Sequence, residues 1–271
     1  MKIGFIGCGN MATAMLKGIL KSGEVKNADM IASAKSDKTR EKIEKELGIQ
    51  KADTNAQVVD FADVVFLAVK PQFLEEVLDE IKDNVKEGQI FISIAPGKTL
   101  QWLGEHLGEG TKIIRTMPNT PAMVGEGMTA LCVNEQVTEQ ETLLAVTLCN
   151  TFGKTEVIPE RLMDVVVGVS GSSPAYVFMF LEAMADAAVA DGMPRAQAYK
   201  FAAQAVLGSA KLMLETGKHP GELKDMVCSP AGTTIEAVRV LEKLGFRSAV
   251  IEAEKVCADM SRNMKELIEK Y

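Results

Sequence analysis

The chain has little of what disulfide, metal and acid–base sites are usually made from. Its 271 residues include two histidines, His106 and His219, and five cysteines, Cys8, Cys132, Cys149, Cys228 and Cys257. The cysteine count is odd and no two form a C-x-x-C pair. This argues against a disulfide framework or a zinc site and predicts reduced thiols in a cytoplasmic protein, with no metal. Positive charge is in deficit: 30 Lys and Arg stand against 37 Asp and Glu, for a net charge of −7. A nucleic-acid binder would show a basic face, so no nucleic-acid partner is expected, although a local basic patch for a small anion fits. The longest apolar stretch, around Ala175 to Ala190, is broken by Glu182 and Asp186, and no membrane span is expected from it. Met1-Lys2-Ile3-Gly4 reaches glycine too early for a signal-peptide core. No internal repeat or low-complexity tract occurs.

What is present is a change of pattern near residue 160. Before it, short apolar runs alternate with segments of helical period. The runs are Ile3–Ile6, Met30–Ala32, Val64–Val69, Ile90–Ile94, Ile113–Arg115 and Thr129–Val133. The helical segments include Met11–Leu20, Thr39–Leu47, Phe73–Val85 and Glu139–Thr151, the last opened by the capping-box spacing Thr138 to Glu141. Strands alternating with helices predict an α/β, doubly wound, mostly parallel sheet over residues 1–159. After Pro159 the strand signal ends. Ser173–Ala190, Arg195–Thr216, Ile235–Lys243 and Ser248–Lys270 read as helices, so residues 160–271 form an all-α domain. Pro174–Ala190 is apolar on nearly every side and must be covered all round. A helical domain of this size has little interior, so a second copy of the chain is expected to supply part of the cover.

Gly7-Cys8-Gly9-Asn10-Met11-Ala12 fits G-x-G-x-x-G/A between the first strand and the first helix. Gly7 would make the tight turn, Gly9 would admit a pyrophosphate, and Ala12 would let helix and strand pack closely. The helix N-terminus would face the phosphates. The second strand decides the nucleotide. A carboxylate at its C-terminal end would bind the ribose diol of NAD, but Asp29 stands at the other end. Ser33, Lys35 and Ser36 stand at the right end, with Arg40 a turn later, and hydroxyls and cations suit a 2′-phosphate. NADP(H) is therefore the preferred cofactor, with NAD(H) also possible. Lys70-Pro71 and Ala95-Pro96 close two further strands, where open parallel sheets bind ligands. Pro118 and Pro121 stiffen the loop Met117–Pro121.

These motifs, taken in order, resemble the pyrroline-5-carboxylate reductase family. The matching stretches are Gly4–Met11, Ala68–Pro71, Arg115–Pro121, Ser170–Tyr176 and Ser229–Ile235, spread over nearly the whole chain. The resemblance implies a Rossmann domain followed by a helical dimerisation domain, and a homodimer that can gather into a decamer of five dimers. It implies that Asn55 and the Ala68-Val69-Lys70-Pro71 turn touch the cofactor. It also implies that Ser229–Thr234 forms the substrate loop, with Thr234 beside the substrate nitrogen. One departure stands out: the family usually shows two glycines after Ser-Pro, and here the first is Ala231. Where positive φ is required, alanine is strained.

The residues of that loop can be read chemically. Thr233-Thr234-Ile235-Glu236 has capping-box spacing, with Thr233 as N-cap. Ser229, Gly232, Thr233 and Thr234 would offer hydroxyls and free N–H groups to a small carboxylate. Oxidising an alcohol needs a base, yet no lysine occurs between Lys154 and Lys200 and neither histidine stands in a motif. Reducing a protonated imine needs less: its carbon is already electrophilic, and binding, orientation and one hydroxyl at the nitrogen suffice. NADPH-dependent reduction of 1-pyrroline-5-carboxylate to L-proline is the reading expected, with Thr234 as the catalytic hydroxyl. A β-hydroxyacid dehydrogenase and a cofactor-binding scaffold without turnover are the alternatives.

Overall fold

The structure, a computed structural model, describes residues 1–263. It divides into two compact units, Met1–Ser172 together with residues 257–263, and Ser173–Val256. The first unit alternates strand and helix: β1 (Ile3–Ile6), α1 (Asn10–Ser22), β2 (Met30–Ser33), α2 (Asp37–Lys45), β3 (Gln50–Lys51), α3 (Asn55–Phe61), β4 (Val64–Leu67) and α4 (Leu74–Ile81). It continues with β5 (Ile90–Ser93), α5 (Leu100–Leu107), β6 (Lys112–Met117), β7 (Gly127–Val133), α6 (Glu139–Asn150), β8 (Gly153–Val157) and α7 (Met163–Val166). The strands form one sheet in the order β3-β2-β1-β4-β5-β6-β7-β8. Neighbours run parallel except β6 and β7. The first six follow the dinucleotide-binding order, whose direction reverses between β1 and β4.

The sequence produces this sheet because its central strands are apolar on both faces. All four residues of β1, β2, β4 and β5 are buried. Alternate side chains point to opposite sides. Ile3, Phe5, Val64 and Phe66 join Met15, Leu16 and Ile19 of α1 in one core. Ile6, Val65 and Leu67 join Val58 of α3, Leu78 of α4 and Leu103 of α5 in another. Phe5 stacks on Phe66 with centroids 4.4 Å apart. The capping box forms as expected: Thr138 Oγ1 accepts from the Glu141 N–H, and Glu141 Oε2 accepts from the Thr138 N–H.

The all-helical pattern begins near residue 160, whereas the compact units divide at Ser172/Ser173. Physical reasons are plain in the first unit. Met163 of α7 is buried against Ala130 and Cys132. A π-helical turn over Val167–Ser172 follows, and the Asn119 side chain donates to the Ser170 carbonyl at 2.9 Å. Ser261 donates to Asp164 at 2.7 Å, and Cys257 to Ser172 at 3.0 Å.

The second unit holds α8 (Ser173–Ala190), α9 (Arg195–Thr216), α10 (Pro220–Val227), α11 (Thr233–Lys243) and the start of α12 (Phe246–Arg262). The expected continuation of the last helix to Lys270 lies outside the described residues. Helix α10 is an addition to the sequence reading, with Pro220 at its first position. In the single chain α8 fully buries only Ala185, while Phe178 and Met179 on α8 and Phe201 on α9 are about two-thirds exposed. By length and composition alone the helical stretch Glu160–Ala190, which includes Glu182 and Asp186, contains an 18-residue window apolar enough to cross a membrane.

Candidate active site

The loops after β1, β2 and β4 open onto a cleft of about 760 Å³ at the point where the strand order reverses. Its floor is the glycine turn. Gly7 has φ +91°, and a Cβ there would stand 2.8 Å from the Ala68 carbonyl oxygen, so only glycine fits. The Gly7 N–H donates to the Ser33 carbonyl at 3.2 Å, tying the turn to the end of β2. Gly9 is different. Its φ is −75°, and a Cβ built on it meets nothing within 4 Å. It lines the cleft and caps α1 with no side-chain hydrogen bond. The free N–H groups of the first turn and the open space above Gly9 suit a pyrophosphate. The residues present thus fit a dinucleotide.

The ribose end is built from β2, α2, α3 and α4. No carboxylate ends β2, and Asp29 sits in the 3₁₀ turn before it, as the sequence reading held. Ser33 is buried and its hydroxyl donates to Asn55 Oδ1 at 2.7 Å. Asn55 opens α3, where Thr54 is the N-cap. Lys35 Nζ lies 5.2 Å from the Phe73 ring centroid, within cation–π range. Ser36 is the N-cap of α2, its hydroxyl accepting from the Thr39 N–H at 3.3 Å. Arg40 turns back to brace the loop, donating to the carbonyls of Ala34 at 2.8 Å and Lys35 at 3.2 Å.

Ten of the expected cofactor residues line this cleft: Gly7, Cys8, Gly9, Ser33, Lys35, Ser36, Asn55, Ala68, Val69 and Lys70. Four lie outside its lining. Asn10 and Met11 form the first turn of α1, Pro71 opens a 3₁₀ turn after β4, and Ala95 is buried beyond β5. Sequence reasoning missed Asp53, Glu76 and Glu80, three carboxylates on the walls. No local motif marks them. Cys8 is a packing residue: burial pushes its thiol up, partly offset by the Thr13 hydroxyl and by Lys42.

The second unit carries the Ser229–Thr234 loop between α10 and α11. The Gly232 N–H donates to the Ser229 carbonyl at 3.1 Å, and Ala231 has φ +56°. Pro230 fixes negative φ before it, so the turn is type II, which favours glycine at the position Ala231 occupies. A Cβ on Gly232 would lie 2.4 Å from Ser229 Oγ. The expected capping box does not form. Gly232 is the N-cap, with no side-chain cap hydrogen bond, so Thr233 and Thr234 are already the first helical residues. Glu236 instead pairs with Arg239 at 2.8 Å. The physical reason is the turn, which places the break from extended to helical backbone one residue earlier than Thr233. The first-turn N–H groups of α11 and two threonine hydroxyls are left at one helix mouth.

Both histidines have local structural roles. His106 Nδ1 lies 2.8 Å from the Trp102 carbonyl, and its ring packs 4.0 Å from the Trp102 ring centroid. His219 Nδ1 accepts from the Gly221 N–H as the cap of α10. Among the described residues no group of three or more His, Cys, Asp and Glu side chains could hold a metal ion.

Comparison with known proteins agrees over the whole chain. The sequence model for pyrroline-5-carboxylate reductase dimerisation matches residues 160–264. The model for NADP oxidoreductase, coenzyme F420-dependent, matches residues 2–97. The pyrroline-5-carboxylate reductase of Escherichia coli K12 is 54% identical over 265 residues, 98% of each chain. Among solved structures, a pyrroline-5-carboxylate reductase from Coxiella burnetii superposes with TM-score 0.91 at 33% identity, covering 97% of each chain. The pyrroline carboxylate reductase of Plasmodium falciparum, solved with NADP bound, gives TM-score 0.87 at 30% identity, covering 97% of this chain and 98% of that one. With glycine turn, reversed sheet and helical module all in place, this chain belongs to the pyrroline-5-carboxylate reductase family.

Proposed function

We propose that the protein reduces 1-pyrroline-5-carboxylate to L-proline with NADPH, the last step of proline biosynthesis, NADH being a possible substitute. The observation that carries this reading is the cleft at the strand-order reversal, open above Gly9 and free of a carboxylate at the end of β2. In it Gly7–Met11 hold the pyrophosphate, and Ser33, Lys35 and Ser36 receive the 2′-phosphate. Asn55, Ala68–Pro71 and Ala95 border the remainder of the nucleotide. When bound, the nicotinamide supplies the hydride that reaches the C=N carbon.

The Ser229–Thr234 loop binds the substrate carboxylate through the N–H groups at the start of α11. Ser229, Gly232 and Thr233 shape that mouth. Thr234 holds the proton at the imine nitrogen. No histidine is needed as an acid or base, in keeping with the local roles of His106 and His219.

The exposed apolar faces of α8 and α9 are covered by a second copy of the chain rather than by lipid. The working form is a cytoplasmic homodimer, and a ring of five dimers is the larger assembly the family suggests. Residues 160–271 are the substrate-binding and dimerisation domain, and 1–159 the dinucleotide-binding domain.

The test follows reduced-nicotinamide absorbance on adding the imine. Thr234→Ala should lower turnover roughly a hundredfold with NADPH affinity near the parent value. Unchanged turnover would remove Thr234 from the mechanism. Absence of turnover in the parent protein, with NADPH bound, would leave the scaffold alternative.

A further inference from the structure

Three side chains at the ribose end of the cleft form a chain of hydrogen bonds. The Asn55 side-chain Nδ2 donates to Glu80 Oε2 at 2.7 Å, and the Asn55 backbone N–H donates to Glu80 Oε1 at 3.3 Å. Asn55 Oδ1 accepts from Ser33 Oγ at 2.7 Å. Glu80 lies near the end of α4, 25 residues from Asn55 in sequence, and all three residues line the cleft. An ionised carboxylate can only accept. Glu80 therefore dictates which end of the Asn55 amide faces it, and turns the oxygen to Ser33. That oxygen also only accepts, so the single proton of Ser33 is committed to Asn55.

A hydroxyl in this state shows lone pairs to a ligand. It can accept from a ribose 2′-hydroxyl. It can donate to a 2′-phosphate only after its bond to Asn55 breaks. We propose that Glu80 is a positioning residue for nucleotide choice: through the Asn55 amide it commits the Ser33 proton, and so keeps the preference for NADPH over NADH below the level Ser33 and Lys35 would otherwise set. This rests on the reading of the cleft as the site of the adenosine end of NAD(P)H. Capping α3 explains the contact with the Asn55 N–H. It does not explain the second carboxylate oxygen on the Asn55 side chain.

The test is calorimetric titration of the full-length protein with NADP⁺ and with NAD⁺. Glu80→Gln keeps the shape but offers both donor and acceptor, so the Asn55 amide can invert and release the Ser33 proton. The ratio of Kd for NAD⁺ to Kd for NADP⁺ should rise about tenfold. In steady-state kinetics the change should fall on KM for the nucleotide rather than on kcat. Glu80→Asp, still an acceptor only, should keep the ratio close to the parent value. In a Ser33→Ala background, Glu80→Gln should leave the ratio where Ser33→Ala alone sets it. A ratio unmoved by Glu80→Gln overturns the proposal. So does an equal rise in the Ser33→Ala background, which would show a charge effect that bypasses Ser33. Failure of the parent protein to bind either nucleotide is a separate result, and would overturn the cofactor reading along with this inference.

Discussion

The N–H of Gly232 closes a turn on the carbonyl of Ser229 at 3.1 Å, and the corner between them is Ala231 at φ +56°. Ala231 is the one non-glycine with positive φ among the described residues. An L-residue in this region costs about 1–2 kcal/mol. Yet the turn sets Gly232 as the N-cap that leaves the first N–H groups of α11 free. Ala231→Gly should relieve the strain and stabilise the second unit by about 0.5–1 kcal/mol, the looser unfolded chain taking back part of the gain. Denaturant unfolding checks this. A loss of stability would mean that the alanine methyl packs favourably enough to outweigh its backbone.

The two glycines of the cofactor turn should separate fold from binding. A methyl on Gly7 meets the Ala68 carbonyl oxygen at 2.8 Å and Val69 Cγ1 at 2.9 Å, on a backbone at φ +91°. Gly7→Ala should cost about 2 kcal/mol of stability and weaken NADPH binding as the loops after β1 and β4 move apart. A methyl on Gly9 meets no protein atom within 4 Å. Gly9→Ala should leave stability within about 0.5 kcal/mol of the parent while NADPH binding falls at least tenfold, because the methyl enters space the phosphates use. Thermal unfolding and calorimetry on the same preparations would distinguish the two. Normal NADPH affinity in Gly9→Ala would place the phosphates elsewhere.

The same contrast explains what the sequence could disclose. Strands β1, β4 and β5 are apolar on both faces, so four-residue runs sufficed to reveal them. Strand β8 reads Gly-Lys-Thr-Glu-Val and β3 only Gln-Lys, and both lie at sheet edges where solvent tolerates polar residues. Nothing in their composition separates them from loop. Helix α10 was hidden because proline and glycine, here Pro220 and Gly221, ordinarily interrupt a helix, although Pro220 opens this one. The glycine turn was legible because three functions fall on adjacent residues. Glu80 was not, since only the packing of α4 beside α3 brings it to Asn55. The Thr233 cap failed for a related reason: spacing records a possible hydrogen bond, and the turn closed by Ser229 and Gly232 removed the occasion for it.

Arg115 on β6 is buried and reaches Glu160 at 3.1 Å, while the same carboxylate oxygen accepts from the Leu100 N–H at 2.7 Å. One carboxylate thus joins the sheet to the first residue of α5. Arg115→Met should destabilise the first unit by about 2–4 kcal/mol, because the carboxylate is left partly buried with only a backbone partner. Adding Glu160→Gln should recover part of the loss, since a neutral amide still accepts from Leu100. Urea unfolding of the two variants checks this. Equal stability in both would show that Arg115 contributes packing alone.

Alkaline pH offers the last test, through thiols far from any reaction. Burial pushes Cys149 up from 9.0 to about 12. It does the same to Cys132, with Glu160 adding to the rise and Arg115 opposing it. A group whose folded pKa is raised stabilises the fold fully below its unfolded pKa. That contribution disappears as pH climbs through the folded pKa, because only the unfolded chain releases the proton early. Between pH 9 and about 12 each of these thiols should therefore cost about 1.4 kcal/mol of stability per pH unit. Alkali acts on more of the protein than these thiols, so the informative quantity is the difference between the parent and Cys149→Ala. The variant should be less stable at neutral pH, where its cavity dominates, and the gap should narrow as pH rises. Parallel stability curves would show that the Cys149 thiol ionises as readily inside the protein as outside it.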